Sequence, residues 1–215
     1  MATGGVMAVM RARMERENMK TIVLPFLLAL GAATPALAQS AGDWTLGFGL
    51  GYVEPKDNNG LLAGAPTTIN SNTRPTITAE YFIRDNLGVE LLAATPFKHT
   101  VTIQGVGTAT TKHLPPTVSL VYHFDNGGKF VPFAGAGLNY TVFFSEKSAL
   151  GNVKIDDSFG LALKAGFDVK VSANDAIRTE VRWIDISSDV KLNGTKIGKT
   201  NIDPLVVGVS YVHKF

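Results

Sequence analysis

The residues able to do chemistry in this chain are few and do not converge. There is no cysteine, so thiolate nucleophiles, thiolate zinc sites and disulfides are excluded. The four histidines, His99, His113, His123 and His213, have no ligand spacing, although His99 and His113 flank one connection and could approach each other. Asp156 and Asp157 are adjacent, so in a strand their carboxylates point to opposite faces and cannot form a catalytic pair. No Gly-x-Ser-x-Gly or phosphate-binding loop occurs, and Gly47-Phe-Gly-Leu-Gly51 reads as strand alternation. No enzymatic activity, cofactor or metal is expected. What does recur is a set of charges at matched parity: Glu80, Glu90, Asp168 and Glu180 against Lys164, Lys170, Arg178 and Arg182. Their chemistry is ion pairing, which is worthwhile only in a confined place where each charge meets its opposite.

The elements that must position these charges are strands. Alternation with period two recurs along the chain and helical spacing never persists. Eight strands are expected, roughly Trp44–Glu54, Thr73–Ile83, Leu87–Thr95, His113–Phe124, Phe130–Phe144, Ser158–Val171, Ala176–Ser187 and Pro204–Phe215. Short connections after the second, fourth and sixth alternate with long ones, the habit of outer-membrane barrels. One face is apolar: Trp44, Phe48, Tyr52, Leu91, Leu120, Tyr140, Leu161, Val209. The other carries the charges with Gly47, Gly49, Gly51, Gly135 and Gly137.

Parity does not say which face points inward. A soluble lipocalin-like carrier would bury the apolar face, whereas a membrane barrel turns it to lipid. Three features favour lipid: aromatics near strand ends, glycines on the polar face where a narrow interior is crowded, and the balanced charges. The expected fold is all-β, an eight-stranded antiparallel up-and-down transmembrane barrel.

The first residues differ from the rest. All five methionines (Met1, Met7, Met10, Met14, Met19) lie there. From Met19 a lysine, an apolar run and Ala36-Leu37-Ala38 ahead of Gln39 read as a secretory signal peptide. The expected division is 1–38 for an N-terminal extension and signal peptide, with Met19 as the true start, and 39–215 for the barrel. Cleavage would remove Arg11, Arg13, Arg16, Lys20, Glu15 and Glu17, taking the formal charge from +2 to zero. So small a charge gives no reason to expect a nucleic-acid partner.

Longer strings carry a family resemblance. Asn86-Leu-Gly-Val-Glu-Leu-Leu-Ala-Ala-Thr-Pro-Phe-Lys-His99, His113-Leu-Pro-Pro-Thr117 and Pro132-Phe-Ala-Gly-Ala-Gly-Leu-Asn-Tyr-Thr-Val-Phe-Phe144 resemble the outer-membrane protein W (OmpW) family. Leu150 to Gly160, Trp183 to Ile186 and Ile202 to Pro204 fit more loosely. The resemblance implies a Gram-negative outer-membrane barrel that passes small hydrophobic molecules, with exit through a gap in the wall. It implies a narrow point at Leu92, opposite a family aromatic whose place is taken here by Arg182. An arginine can sit in a dry constriction only if Glu180, Glu90 or another acid neutralises it. The alternating C-terminus, with Tyr211, His213 and Phe215, resembles the signal read by the outer-membrane assembly machinery. Expected partners are that machinery, membrane lipids with lipopolysaccharide, and small hydrophobic solutes. The competing class is a non-transporting structural barrel or a receptor for phage or bacteriocin, with a role in envelope stress.

Prolines beside strands remove ladder donors. Pro115, Pro116 and Pro132 are the expected wall defects of a lateral opening. The apolar loop Gly60 to Pro66 could gather solutes with Phe97 or pack on neighbouring loops.

Overall fold

A computed structural model describes residues 39–215; the expected signal peptide lies outside the described residues. Fifteen strands follow in order: β1 Trp44–Glu54, β2 Leu61–Leu62, β3 Ala65–Ile69, β4 Asn72–Arg84, β5 Leu87–Ala94, β6 Phe97–Ile103, β7 Gly107–Leu114, β8 Thr117–His123, β9 Phe130–Ser148, β10 Val153–Ile155, β11 Ser158–Lys170, β12 Asp175–Ile184, β13 Ser187–Leu192, β14 Thr195–Asn201 and β15 Leu205–Lys214. Eight of them close a ring of antiparallel pairs, β1-β4-β5-β8-β9-β11-β12-β15 and back to β1. Closure leaves no edge strand, so the wall satisfies its own backbone groups, as lipid demands.

Burial settles the direction of the faces. The apolar row points out: Phe48 is 56% exposed, Phe159 69% and Val209 53%, whereas Glu90, Arg178 and Arg182 are at most 1% exposed. A soluble carrier would show the reverse, so the lipocalin-like reading falls. Aromatics ring the end that carries the short turns (Trp44, Tyr81, Tyr122, Phe130, Tyr211), and Tyr52, Tyr140 and Trp183 stand toward the other. In such barrels the short-turn end is periplasmic. The interior is crowded enough to require glycine. A Cβ on Gly137 would lie 2.1 Å from the Val118 carbonyl oxygen, and one on Gly49 would lie 2.2 Å from that of Val209.

Two expectations about the elements need correction. The fourth strand, expected as His113–Phe124, is broken at Pro115-Pro116 into β7 and β8, because two consecutive residues without N–H cannot continue a ladder. The long connections also carry strands of their own. β6 and β7 form a hairpin, β13 and β14 another, and β2, β3 and β10 fill in between them. Their alternate residues bury against one another as an apolar cluster at the long-loop end, including Leu62, Val101, Ile103, Phe143, Ile184, Val190 and Ile202. That burial is why these segments are ordered extensions of the wall. Leu62 is inside this cluster and Leu61 is exposed, so the Gly60 to Pro66 loop packs on its neighbours.

Candidate functional site

The lumen has two halves of opposite character. Near the short turns, strand register brings the charges into one knot. Glu80 of β4 lies directly opposite Glu90 of β5, an arrangement that is destabilising unless bases intervene. Gly88 makes room for it, since a Cβ there would lie 2.3 Å from Glu80 Oε1. Arg178 of β12 is cross-strand from Asp168 of β11 and donates to both its oxygens, Nε to Oδ1 at 2.8 Å and Nη2 to Oδ2 at 2.9 Å. Its Nη1 reaches Glu90 at 3.0 Å and Glu80 at 3.3 Å. Lys164 Nζ lies 2.6 Å from Glu90 and 2.8 Å from Glu180. Arg182 Nη2 donates to Glu90 at 2.8 Å and Glu180 at 3.1 Å. The Phe133 ring lies against both Lys164 Nζ and Arg178, at 4.9 and 4.7 Å.

His123, 0% exposed, completes the knot with Nε2 2.8 Å from Glu80 Oε1. It carried no signal in the sequence beyond its inward parity beside Phe124. Among the described residues the knot holds no nucleophile positioned beside a base; its charges pair with one another, while Arg182 Nε and Nη1 and His123 Nδ1 are buried without hydrogen-bond partners.

Several predicted site residues lie elsewhere than expected. Lys170 is not in the knot: it sits one inward position beyond Asp168, toward the turn, and its Nζ is 2.7 Å from Asp125. Pro132 sits at the short-turn end, where its carbonyl accepts from Phe124 N–H at 2.8 Å and its other side stays in register with Phe167. The wall is continuous there because the missing proline N–H is the only bond forgone. Arg182 belongs to the charge knot, and Leu92, 7% exposed, stands one inward position above Glu90. Asp156 and Asp157 are engaged separately, with Lys191 and with the Tyr140 hydroxyl.

Above Leu92 the wall changes, and the lumen passes from the charge knot to uncharged Thr117, Asn139 and Thr141 and then to the apolar cluster. The β5–β8 ladder ends at Leu92 opposite Thr117, and pairing resumes only at Phe97 opposite His113. Between them Ala93 to Pro96 face Leu114 to Pro116 with no ladder. Each side stays fastened to its other neighbour: Thr95 N–H donates to the Pro75 carbonyl at 3.1 Å, and Tyr140 N–H to that of Pro116 at 3.1 Å. Buried Asn139 also donates to the Pro116 carbonyl, at 3.1 Å. Pro96, Pro115 and Pro116 thus border one interruption in an otherwise closed wall.

Just above it lies an aromatic group. The His99 and His113 rings stack at 4.9 Å, with Phe97 and Phe143 each 5.6 Å from His113. Burial holds His99 below the ordinary histidine range, against a bond to the Asn70 carbonyl and with the Arg74 cation adding to the effect. Burial, with His99 beside it, pushes His113 down to about 3. Both rings are neutral near pH 7. No third metal ligand joins them among the described residues. Next to these rings the apolar cluster encloses about 30 Å³ between Leu62, Val101, Ile103, Val190 and Ile197, room for one or two waters.

A closed antiparallel ring, apolar toward lipid, with a paired charge knot inside and long extensions at one end, is an outer-membrane β-barrel. The model of the OmpW family matches residues 40–215, and the chain belongs to that family. It is 34% identical over 211 residues to outer membrane protein W of Vibrio cholerae, covering 89% of this chain and 97% of that one. It is 29% identical over 229 residues to outer membrane protein AlkL of Ectopseudomonas oleovorans, covering 93% of this chain and all of the other. The crystal structure of the outer membrane protein OprG from Pseudomonas aeruginosa superposes with a TM-score of 0.73 at 32% identity, covering 83% of this chain and 98% of that one.

Proposed function

We propose that the barrel gives small hydrophobic molecules passive passage from the long-loop mouth to the membrane interior. The observation that carries this is the division of the lumen: paired charges fill it below Leu92, uncharged polar groups such as Thr117 and Asn139 and then the apolar cluster stand above, and the wall ladder is interrupted where the two meet. A solute entering the mouth would have to desolvate the knot to continue straight through. Leaving sideways past Ala93, Pro96, Pro115 and Pro116 takes it from one apolar environment to another. Leu92 and Arg182 mark the floor of that route. The outward Tyr211 and Phe215, with His213 held at 2.7 Å by Asp175, serve recognition by the assembly machinery, and lipopolysaccharide surrounds the mouth.

The test is uptake of a fluorescent hydrophobe into lipopolysaccharide-containing vesicles by the refolded barrel and by an Ala93→Cys, Pro116→Cys pair. These positions would lie opposite each other if the Leu92–Thr117 register continued. Cross-linking, verified by gel mobility, is expected to slow uptake and reduction to restore it. Uptake no faster than in empty vesicles refutes the conduit. Uptake indifferent to a formed cross-link refutes the lateral exit. The small space within the apolar cluster, about 30 Å³, favours, as second reading, a structural or receptor barrel, which the first of those results would leave standing.

A further inference from the structure

One interior charge has no partner. Arg74 of β4 faces the lumen: its register partner on β1 is Gly51, on the face that also carries Thr45 and Gly47. It makes no hydrogen bond or ion pair among the described residues, and its Nε is buried and unpartnered. Every lumen charge below Leu92 is paired, so an unpaired guanidinium above it stands out. Its surroundings are also unsatisfied. His99, 1% exposed, has Nδ1 2.6 Å from the Asn70 carbonyl. A carbonyl only accepts, so Nδ1 carries the proton and Nε2 is left with a bare lone pair. That Nε2 is buried without a donor, and so are His113 Nδ1 and Asn72 Oδ1 without partners. Arg74 is near enough to act electrostatically on His99, and His113 is the other titratable group stacked against it. Val101, on the same face two residues on from His99, and Phe143, edge-on to His113, open directly into the apolar cluster.

We propose that Arg74 and His99 form the head-group site for an apolar monocarboxylic acid, whose tail lies on Val101, Phe143 and the apolar cluster. One carboxyl oxygen accepts from the Arg74 guanidinium; the other takes up a proton from solvent as the carboxylate binds and shares it with the bare His99 Nε2. The chemistry discriminates among head groups. An ammonium is repelled by Arg74. A sulfate brings charge but no proton for Nε2. An alcohol supplies a proton and leaves Arg74 uncompensated. A carboxyl group answers both needs. This inference deepens the conduit reading by naming the substrate class, and it rests on that reading.

The experiment compares binding of hexanoate, 1-hexanol and hexylamine to the refolded barrel in lipid nanodiscs, with empty nanodiscs subtracted. Hexanoate is expected to bind roughly tenfold tighter than hexanol, the scale of a charge-assisted hydrogen bond, and hexylamine weakest. Arg74→Gln removes the preference for hexanoate over hexanol, and Arg74→Lys, which keeps charge without the planar fork, falls between. The His99 Nε2 nitrogen resonance moves toward its protonated position when hexanoate binds. Equal affinity for hexanoate and hexanol, or a preference that survives Arg74→Gln, overturns the carboxyl site and leaves a conduit for neutral hydrophobes intact. Protein-dependent binding of neither probe overturns both readings.

Discussion

Arg178 is the cation on which the charge knot turns, and Arg178→Met measures what the knot is worth. The substitution preserves much of the packing against Phe133 while removing four hydrogen bonds, two to Asp168 and one each to Glu80 and Glu90. Lys164, Arg182 and His123 then face four carboxylates in a space where these groups are almost fully buried. Surplus carboxylate charge remains there without water. Breaking a buried pair by removing one partner costs about 3–5 kcal/mol, whereas losing an exposed pair costs under about 1 kcal/mol. Urea unfolding of the refolded barrel in vesicles, followed by Trp44 and Trp183 fluorescence and by gel mobility, should show a loss in the higher range. Adding Asp168→Asn to Arg178→Met removes the surplus charge and should recover a substantial part of it. A loss below about 1 kcal/mol, or a double variant weaker than the single by the full cost of Asp168→Asn alone, would refute the premise that these charges are held in mutual, desolvated pairing.

Other expectations are as specific. Gly137→Val would force a Cβ to 2.1 Å from the Val118 carbonyl oxygen and should cost about 3 kcal/mol, read in the same unfolding assay as a lowered midpoint or failure to refold. Leu92→Arg would add a fourth long cation beside Glu90, after Lys164, Arg178 and Arg182, at the floor of the upper half, and hydrophobe uptake into vesicles should fall toward that of empty vesicles. His113, held at about 3 when folded against about 6.5 when unfolded, contributes stability that is present above pH 6.5. That stability is lost as the pH falls toward 3, because the unfolded segment takes up the proton first. The deficit reaches ~2 kcal/mol by pH 5. Amide exchange in β6 and β7 should accelerate over that window, and His113→Phe should reduce the dependence to the part carried by His99, which burial also holds down.

The eight wall strands were legible because each turns one face to lipid and one to a polar lumen, so hydrophobicity alternates along Trp44–Glu54 or Ser158–Lys170 without interruption. The extensions were harder. The Asn193-Gly194 pair between β13 and β14 has the positive backbone angles of a tight hairpin, φ 50° and 84°, and with flanking alternation it marked a turn that could have been read. The β6–β7 hairpin had only the period of Phe97, His99, Val101 and Ile103, diluted by threonines that serve either face. Parity placed Lys170 with the interior bases because parity reports the face and not the depth. Depth along the barrel decides its partner, and Asp125 in the turn is nearer than any acid of the knot. Arg74 escaped notice for the complementary reason. A charge balance counts pairs across the whole interior, and only three-dimensional height separates one cation from the rest.

Height is also what gives the prolines different meanings. Pro132 loses one donor at the short-turn end, where β8 and β11 hold its neighbours in register and the knot fills the lumen behind it. An opening there would expose buried charge to lipid, at a cost of several kcal/mol per ion. Pro115 and Pro116 lose two donors in succession, with Pro96 facing them and the uncharged Thr117 and Asn139 bonded to each other and to the proline carbonyls behind, so parting the wall there exposes no ionised group. The chemistry of the lumen at each height therefore decides which missing hydrogen bond can become a doorway, and it selects the level just above Leu92, below the unpaired Arg74 and the stacked histidines.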